Sequence, residues 1–313
     1  MKSKQVVITG GAGFIGSNLV YALEKDNTII VIDDLSTGNL NNIKSLIDKK
    51  SIKFIKGSIT DIDFLQKTFK DIDYVFHQAA IPSVPRSIKD PIKSNYVNVN
   101  GTLNVLIAAR DNNVKKVVYA SSSSAYGDTP KLPKKEDMKP QPLSPYAISK
   151  LTGEYYCQIF TEVYNLPTVS LRYFNVYGPN QDPLSEYAAV VPKFIKNTLN
   201  DKPPIIFGNG KQTRDFTFVR DAVNANILSA ESKETGIFNI AGGKRISIYE
   251  LSKLIMKIIG KEIEPVYDKT RPGDVLHSLA DISKAKNKIG YQPKFSLEKG
   301  LEETIKWFQQ KPI

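Results

Sequence analysis

The sequence predicts an α/β fold: a doubly wound parallel sheet of the dinucleotide-binding (Rossmann) kind, with a second, smaller α/β lobe for substrate. Three observations carry this. Short runs of apolar, β-branched residues alternate with helical stretches, the pattern of parallel strands joined by crossover helices. The first run is followed at once by glycines spaced G-x-x-G-x-x-G and then by a helix. The second run ends on a carboxylate.

The 313 residues, 41% of them hydrophobic, suffice for one large α/β unit or two lobes sharing a boundary. There is no run of eighteen apolar residues, and Met1-Lys2-Ser3-Lys4 leads into a strand pattern rather than a signal peptide. A soluble, cytoplasmic protein is expected. Cys157 is the one cysteine, and His77 and His277 alone cannot build a zinc site, so no disulfide and no structural metal are expected. The net charge of +11 is scattered as lysines, which reads as solvated surface, with steering of an anionic small molecule as the functional alternative. No basic run interleaved with aromatics points to nucleic acid.

Gln5-Val6-Val7-Ile8-Thr9 is a continuous strand. Gly10, Gly13 and Gly16 follow, then a helical pattern through Leu23. Glycine there permits the tight turn, the approach of backbone to a pyrophosphate and the packing of helix on strand, while the helix N-terminus supplies partial positive charge. The strand Thr28 to Ile32 ends at Asp33, seventeen residues past Gly16. A carboxylate at that place accepts from an adenosine ribose diol and repels a 2′-phosphate, which makes the cofactor NAD rather than NADP. Capping of the next helix by Asp33 or Asp34 is the alternative. Further strands are expected at Ile52–Ile55, Ile72–Phe76, Lys116–Ala120 and Gly236–Ile240. The loops after the third, fourth and fifth strands should line the cofactor crevice: Asp61-Ile62, His77-Gln78-Ala79-Ala80 and Ser121 to Ser124. Ala79 and Ala80 are small enough to admit a ligand or simply to pack closely, and His77 reads as a structural residue.

Tyr146 and Lys150 lie four apart in a helical stretch and so share one face. A unit charge ~4 Å away at an effective dielectric of ~20 is worth ~4 kcal/mol, enough to bring a phenol of pKa ~10 toward neutrality as a general base. Such pairs also arise by chance on surface helices. A run of four serines is by composition a flexible loop; placed after a strand and ahead of Tyr146, it is a candidate for holding a hydroxyl, with Ser122 relaying a proton between substrate and Tyr146.

Together Gly10-Gly11-Ala12-Gly13-Phe14-Ile15-Gly16, the serine-rich strand end, Tyr146 with Lys150, and Arg172-Tyr173-Phe174-Asn175-Val176-Tyr177-Gly178 resemble the extended short-chain dehydrogenases, specifically the nucleotide-sugar 4-epimerases, over nearly the whole chain. The resemblance implies tightly held NAD and a UDP-sugar whose C4 hydride passes to NAD and returns to the other face of a 4-keto sugar. Carried over, Tyr146 is the base, Lys150 lowers its pKa and holds the nicotinamide ribose, and Ser122, five residues before Gly127, positions O4, with Ser123 its nearest rival. The implied cofactor set also takes in Phe14, Ile15, Asp34, Ser36, Thr37, Gly38, Asn98 and Tyr173. On the substrate side the resemblance implies Ser83, Val84 and Ser123, Asn175 on the pyrophosphate, Ala189 and Val190 near the nucleotide, and Ile205 to Phe207 on the uracil side. It further implies Arg214 and Arg271 on the phosphates and Asp274 on the uridine ribose. Two guanidiniums and an amide suit a diphosphate, although either arginine alone reads equally well as a surface ion pair. Residues 1–174, with a returning segment near 215–240, would then form the cofactor domain, and 175–313 the UDP-sugar lobe. Helical patterns at Ile248 to Ile259 and Leu297 to Phe308 fill that lobe, with Trp307 in its core.

Ser278 falls where glucose-restricted members of the family carry a bulky tyrosine, and it leaves room for a 2-acetamido group. Ser83-Val84-Pro85-Arg86-Ser87 resembles the bacterial UDP-N-acetylglucosamine 4-epimerases. UDP-GlcNAc and UDP-GalNAc are therefore expected beside UDP-glucose and UDP-galactose. A dehydratase of the family would carry Asp-Glu where this chain has Ser123-Ser124. A uronate 4-epimerase suits Arg86 and the net charge and is the enzyme runner-up, and a non-catalytic NAD-sensing regulator is the rival from another class, against which Tyr146, Lys150 and Ser122 all speak. The resemblance also implies a homodimer through helices near Ile92 to Arg110 and Tyr146 to Tyr164.

Overall fold

The computed structural model describes residues 1–183, 189–270 and 275–310. Strand β1 (Gln5–Thr9) is buried from Val6 onward, and its side chains divide: Val6 and Ile8 enter one apolar layer, Val7 the other. A strand covered on both faces needs crossover helices on both sides. They are supplied in sequence by α1 (Phe14–Leu23), β2 (Thr28–Asp33), α2 (Lys44–Asp48), β3 (Lys53–Lys56), α3 (Ile62–Thr68), β4 (Tyr74–His77), α4 (Val84–Lys89), α5 (Pro91–Asn95), α6 (Gly101–Asp111), β5 (Lys116–Ser122), α7 (Pro145–Tyr164) and β6 (Thr168–Tyr173). The chain then leaves for β7 (Val176–Tyr177), α8 (Val190–Leu199), β8 (Ile205–Phe207), β9 (Thr213–Asp215) and β10 (Thr217–Phe218). It returns with α9 (Val219–Glu231) and β11 (Gly236–Ile240), and finishes through β12 (Arg245–Ser247), α10 (Ile248–Ile259), β13 (Val266–Asp268), α11 (Ser283–Ile289) and α12 (Leu297–Gln310).

Among the described residues seven strands form one parallel sheet in the order β11-β6-β5-β4-β1-β2-β3. The order reverses between β1 and β4, which opens a crevice beyond the C-terminal ends of those strands. One layer packs Leu19, Val20 and Leu23 of α1 with Ala222 and Ala225 of α9; the other packs Leu65 of α3, Val105 and Leu106 of α6, and Cys157 and Phe160 of α7. A separate core of Tyr177, Phe194, Ile195, Ile206, Leu251, Ile255, Leu301 and Ile305 makes the smaller lobe.

Several boundaries move for physical reasons. β4 begins at Tyr74 because the Asp73 carboxylate already accepts the Gln5 N–H at 2.9 Å and pairs with Lys115 at 2.6 Å. The stretch from Ile92 to Arg110 is not one α-helix: a π turn, Tyr96–Asn100, separates α5 from α6. Helix α11, which the division at residue 175 would assign to the smaller lobe, packs Ala285 and Ile289 into the large sheet's first layer. Trp307 is half-buried, 5.0 Å from the Phe308 ring, and packs against the smaller lobe's core while also reaching a cavity wall. No helix among the described residues is long and apolar enough to cross a membrane.

Candidate active site

The crevice holds a cavity of about 580 Å³ whose walls come from both lobes. Its floor is the glycine turn. Gly10 sits at φ +70° with its Cα against the Ala79 backbone, so that a Cβ there would come within 2.7 Å of Ala79 Cα; one on Gly16 would lie 2.2 Å from the Gly10 carbonyl. Helix α1 starts from Gly13 with no side chain capping it, which leaves its first N–H groups and the positive end of its dipole facing the cavity. Asp33 stands beside the turn. One oxygen accepts the Ala12 N–H at 3.0 Å, the other the Leu35 N–H at 2.9 Å, and neither Asp33 nor Asp34 caps a helix. Burial raises the Asp33 carboxyl while these two N–H bonds pull it back down. Gly38 lies close enough that a Cβ would strike the carboxylate at 2.7 Å. A narrow turn under an uncapped helix, with an oriented carboxylate at the next strand end, fits a dinucleotide.

Gly13, Phe14, Ile15, Asp34, Ser36, Thr37, Gln78, Ala79, Ala80 and Tyr173 also line this cavity, as do Ser83 and Ala189. Asp61 and Ile62 do not: Asp61 caps α3 by accepting the Phe64 N–H at 3.0 Å, and the wall there is made by Gly57 and Ile59. Asn98 is likewise buried in the π turn, where its amide accepts from Ile81 N at 2.8 Å and donates to Ile81 O and Ser149 Oγ. It shapes the loop after β4 from behind. His77 is neutral and structural: its ring nitrogens bond Thr9 Oγ1 at 2.8 Å and Thr102 Oγ1 at 3.0 Å, and burial pushes its pKa down to about 3.

Helix α7 delivers the tyrosine and the lysine. Ser144 caps it by accepting the Ala147 N–H at 3.1 Å, Pro145 opens its first turn, and the otherwise free Tyr146 N–H donates to Ser87 Oγ at 3.0 Å. Ser122 Oγ accepts from Ser124 N at 3.1 Å and from Ser124 Oγ at 2.9 Å, which leaves its own proton for another acceptor; of the serines in this run it is Ser121 that lines the cavity. Ser121 is spent elsewhere, donating to the buried Glu154 carboxylate, and Ser123 opens a 3-10 turn. The expected lowering of the phenol by Lys150 does not emerge. Burial raises the Tyr146 pKa, and the group that lowers it is Ser122, whose donated proton favours the phenolate. Lys150 Nζ is turned to the Ala120 carbonyl at 2.8 Å and lies 5.0 Å from the Tyr119 ring centre, and burial brings its own pKa down to about 8.

The second group of predicted residues lies on the smaller lobe's side. Asn175, at φ +39°, donates to the Asp215 carbonyl at 2.8 Å and to Ser278 Oγ at 3.3 Å, which brings three segments distant in sequence together. Arg214 Nη1 donates to the carbonyls of Thr213 and Leu276 at 3.0 and 3.1 Å. Val190 opens α8, Ile205 and Phe207 begin and end β8, and Val84 opens α4. None of these lines the cavity. Arg271 and Asp274 lie outside the described residues. Sequence reasoning missed Ser87, Gly57, Ile59, Asn180 and Gln181, whose places on or behind the wall have no local signal.

A fold and site of this kind define a dinucleotide-dependent enzyme. Residues 6–241 match the NAD dependent epimerase/dehydratase family, and the chain belongs to that family, with NAD as its cofactor. It is 41% identical over 307 residues to a putative UDP-glucose 4-epimerase of Methanocaldococcus jannaschii, covering 97% of this chain and 98% of that one. Among solved structures it is similar to a UDP-N-acetylglucosamine 4-epimerase from Methanobrevibacter ruminantium in complex with UDP-N-acetylmuramic acid (TM-score 0.96, 47% identity, 99% of each chain). It is also similar to a UDP-glucuronic acid 4-epimerase from Bacillus cereus in complex with UDP-glucuronic acid and NAD (TM-score 0.91, 37% identity, 98% and 99%).

Replacing Asp33 by alanine removes the acceptor beside the glycine turn. NAD affinity, followed by cofactor content and fluorescence titration, should fall at least ~10-fold, the loss of a charge-assisted hydrogen bond; unchanged NAD binding would refute the assignment.

Proposed function

We propose that the chain is a UDP-hexose 4-epimerase that inverts C4 through a 4-keto sugar and accepts UDP-GlcNAc and UDP-GalNAc beside UDP-glucose and UDP-galactose. The observation that carries this is Tyr146 and Lys150, one helical turn apart, on the wall of a cavity floored by the glycine turn. When bound, NAD supplies a cationic nicotinamide ring able to accept the C4 hydride and return it. Tyr146 Oη takes the O4 proton and gives it back, Ser122 Oγ bonds the oxygen whose charge is changing, and Lys150 supplies positive charge to an otherwise apolar enclosure. The N–H groups opening α1 hold the pyrophosphate and Asp33 the adenosine ribose.

The nucleotide half of this reading is proposed to lie beside Asn175, Arg214 and the neighbouring Ser278, which stand outside the cavity wall. Ser278 is 9% exposed, its Oγ accepting from the Asn175 amide at 3.3 Å and from the Asp215 N–H at 3.4 Å, and the N-acetyl part of the reading rests on the small size of this side chain. A uronate 4-epimerase is the second reading, favoured by Arg86 on the cavity wall. The proposed assembly is a homodimer. Ile92 and Tyr96, from α5 and the π turn, and Ile148, Tyr155, Ile159 and Val163 of α7 all stand 46–82% exposed on helices that pack side by side, an apolar stripe too continuous for a free surface.

With UDP-GlcNAc, UDP-GalNAc, UDP-glucose, UDP-galactose and UDP-glucuronate offered separately and no NAD added, epimer formation is expected on the acetylated and plain hexoses. Turnover of the uronate alone would favour the second reading. Tyr146→Phe should lower kcat by ~10²–10⁴, the usual worth of a general base; epimerisation at the native rate would overturn the mechanism. Ser278→Tyr should remove turnover of the acetylated sugars selectively, and equal loss on both kinds would defeat that account. In light scattering the protein should run at twice the chain mass and fall to the monomer on Ile159→Glu; a wild-type monomer would remove the dimer.

A further inference from the structure

Three successive side chains on one face of α7 are all spent on the same short piece of β5. Lys150 bonds the Ala120 carbonyl and Glu154 accepts from Ser121 Oγ, while Tyr146 lies near Ser122. The parallel register sets Ser121 beside Arg172 and Ser122 beside Tyr173. One carboxylate therefore reaches both strands: Arg172 Nε donates to Glu154 Oε1 at 2.8 Å and Nη2 to Oε2 at 2.7 Å. Both partners are buried, with side chains 2% and 0% exposed. Stability alone does not explain such a pair, because apolar residues of similar volume hold a core at least as well. The pair stands behind the cavity, where it joins the helix carrying Tyr146 and Lys150 to the ends of the strands carrying Ser122 and leading to Asn175.

We propose that Glu154 is a positioning residue: by binding Ser121 and Arg172 at once it seats α7 on the ends of β5 and β6 and so holds Lys150 and the Tyr146–Ser122 pair in place. The kinetic part of this rests on the epimerase reading; the rest does not. Charge supports the geometry. The titratable groups around Lys150 are His77 from β4, Tyr119 from β5, and Glu154 and Cys157 from α7, with Tyr146 one helical turn before it. His77 is neutral, the Cys157 thiol is pushed up to about 12, and burial raises both phenols. Glu154 is the anion among them, paired with Arg172 and raising the Lys150 pKa against burial. Removing it leaves the buried Arg172 cation without its carboxylate.

The test uses the full chain with its NAD, lysine labelled with ¹³C at Cε, and the Lys150 resonance assigned by its loss in Lys150→Arg. In Glu154→Gln the Lys150 titration midpoint should fall by about one pH unit, while in Glu154→Asp, which keeps the charge, it should stay near the native value. On the UDP-sugar that the wild type turns over, Glu154→Gln should lose about tenfold or more in kcat with KM changed less than about twofold. Should Glu154→Gln fail to fold, the apolar pair Glu154→Leu with Arg172→Met carries the test: it is expected to melt near the wild-type temperature and still lose about tenfold in kcat. A folded Glu154→Gln protein with an unmoved lysine titration, or an apolar pair with native kcat, would overturn the proposal. If the wild type turns over no UDP-sugar, the epimerase reading falls, and the lysine titration still decides the role of Glu154.

Discussion

Helix α7 lies against β5 so closely that its residue 153 has no room for a side chain: a Cβ on Gly153 would come within 2.3 Å of the Tyr119 phenol oxygen. That contact sets the height of the helix above the sheet, and the site depends on it. At this separation Lys150 reaches the Ala120 carbonyl, Tyr119 Oη donates to the Lys150 carbonyl at 3.4 Å, and Tyr146 meets Ser122. A helix held farther out would leave Lys150 an unpaired ammonium in an apolar layer, at a cost that burial of a charge makes large.

The enclosure that creates these contacts also moves the acid–base chemistry. Burial raises the tyrosine and lowers the lysine, to about 8 for Lys150. Both shifts have one origin, since a low-dielectric site disfavours whichever form is charged. At neutral pH the lysine still keeps its proton. The Ser122 hydroxyl acts against burial on the phenol, favouring the phenolate, while the net shift of Tyr146 is upward.

The smaller lobe is organised by a different anion. Asp215 is fully buried, its carboxylate accepts the N–H groups of Gly242 and Gly243 at 3.0 and 3.1 Å and of Ala280 at 3.1 Å, and burial pushes its pKa up to about 7. Its backbone does further service, with the carbonyl taking the Asn175 amide and the N–H reaching Ser278. Residues 175, 215, 242–243 and 278–280 are thus gathered at one aspartate. Asn175 itself sits in left-handed backbone, a conformation that asparagine tolerates better than most residues, and it turns the chain out of β6 toward the second lobe.

Strand runs, the glycine turn and the Tyr146–Lys150 spacing were legible in the chain because each rests on periodicity or on a local backbone requirement that neighbours in sequence express. So was Asp33, whose role follows from its place at a strand end. Asp61 and Asn98 are seen in backbone roles, capping α3 and bracing the loop after β4, which a carboxylate or amide next to a strand–helix junction does not reveal in the sequence. The choice among Ser121, Ser122 and Ser123 was open in the sequence; the register sets Ser121 across from Arg172 and on Glu154, at the cavity wall, and the role of Ser122 is the one proposed above. By itself, then, the sequence determined the parallel α/β class, six of the seven strands of the sheet and the class of cofactor, all of which depend on short-range pattern; β6 (Thr168–Tyr173) and the order of the strands came from the structure. The tertiary structure alone decided which polar side chains face the cavity and which are spent behind it, because that depends on partners 30 to 150 residues away meeting at a buried hydrogen bond.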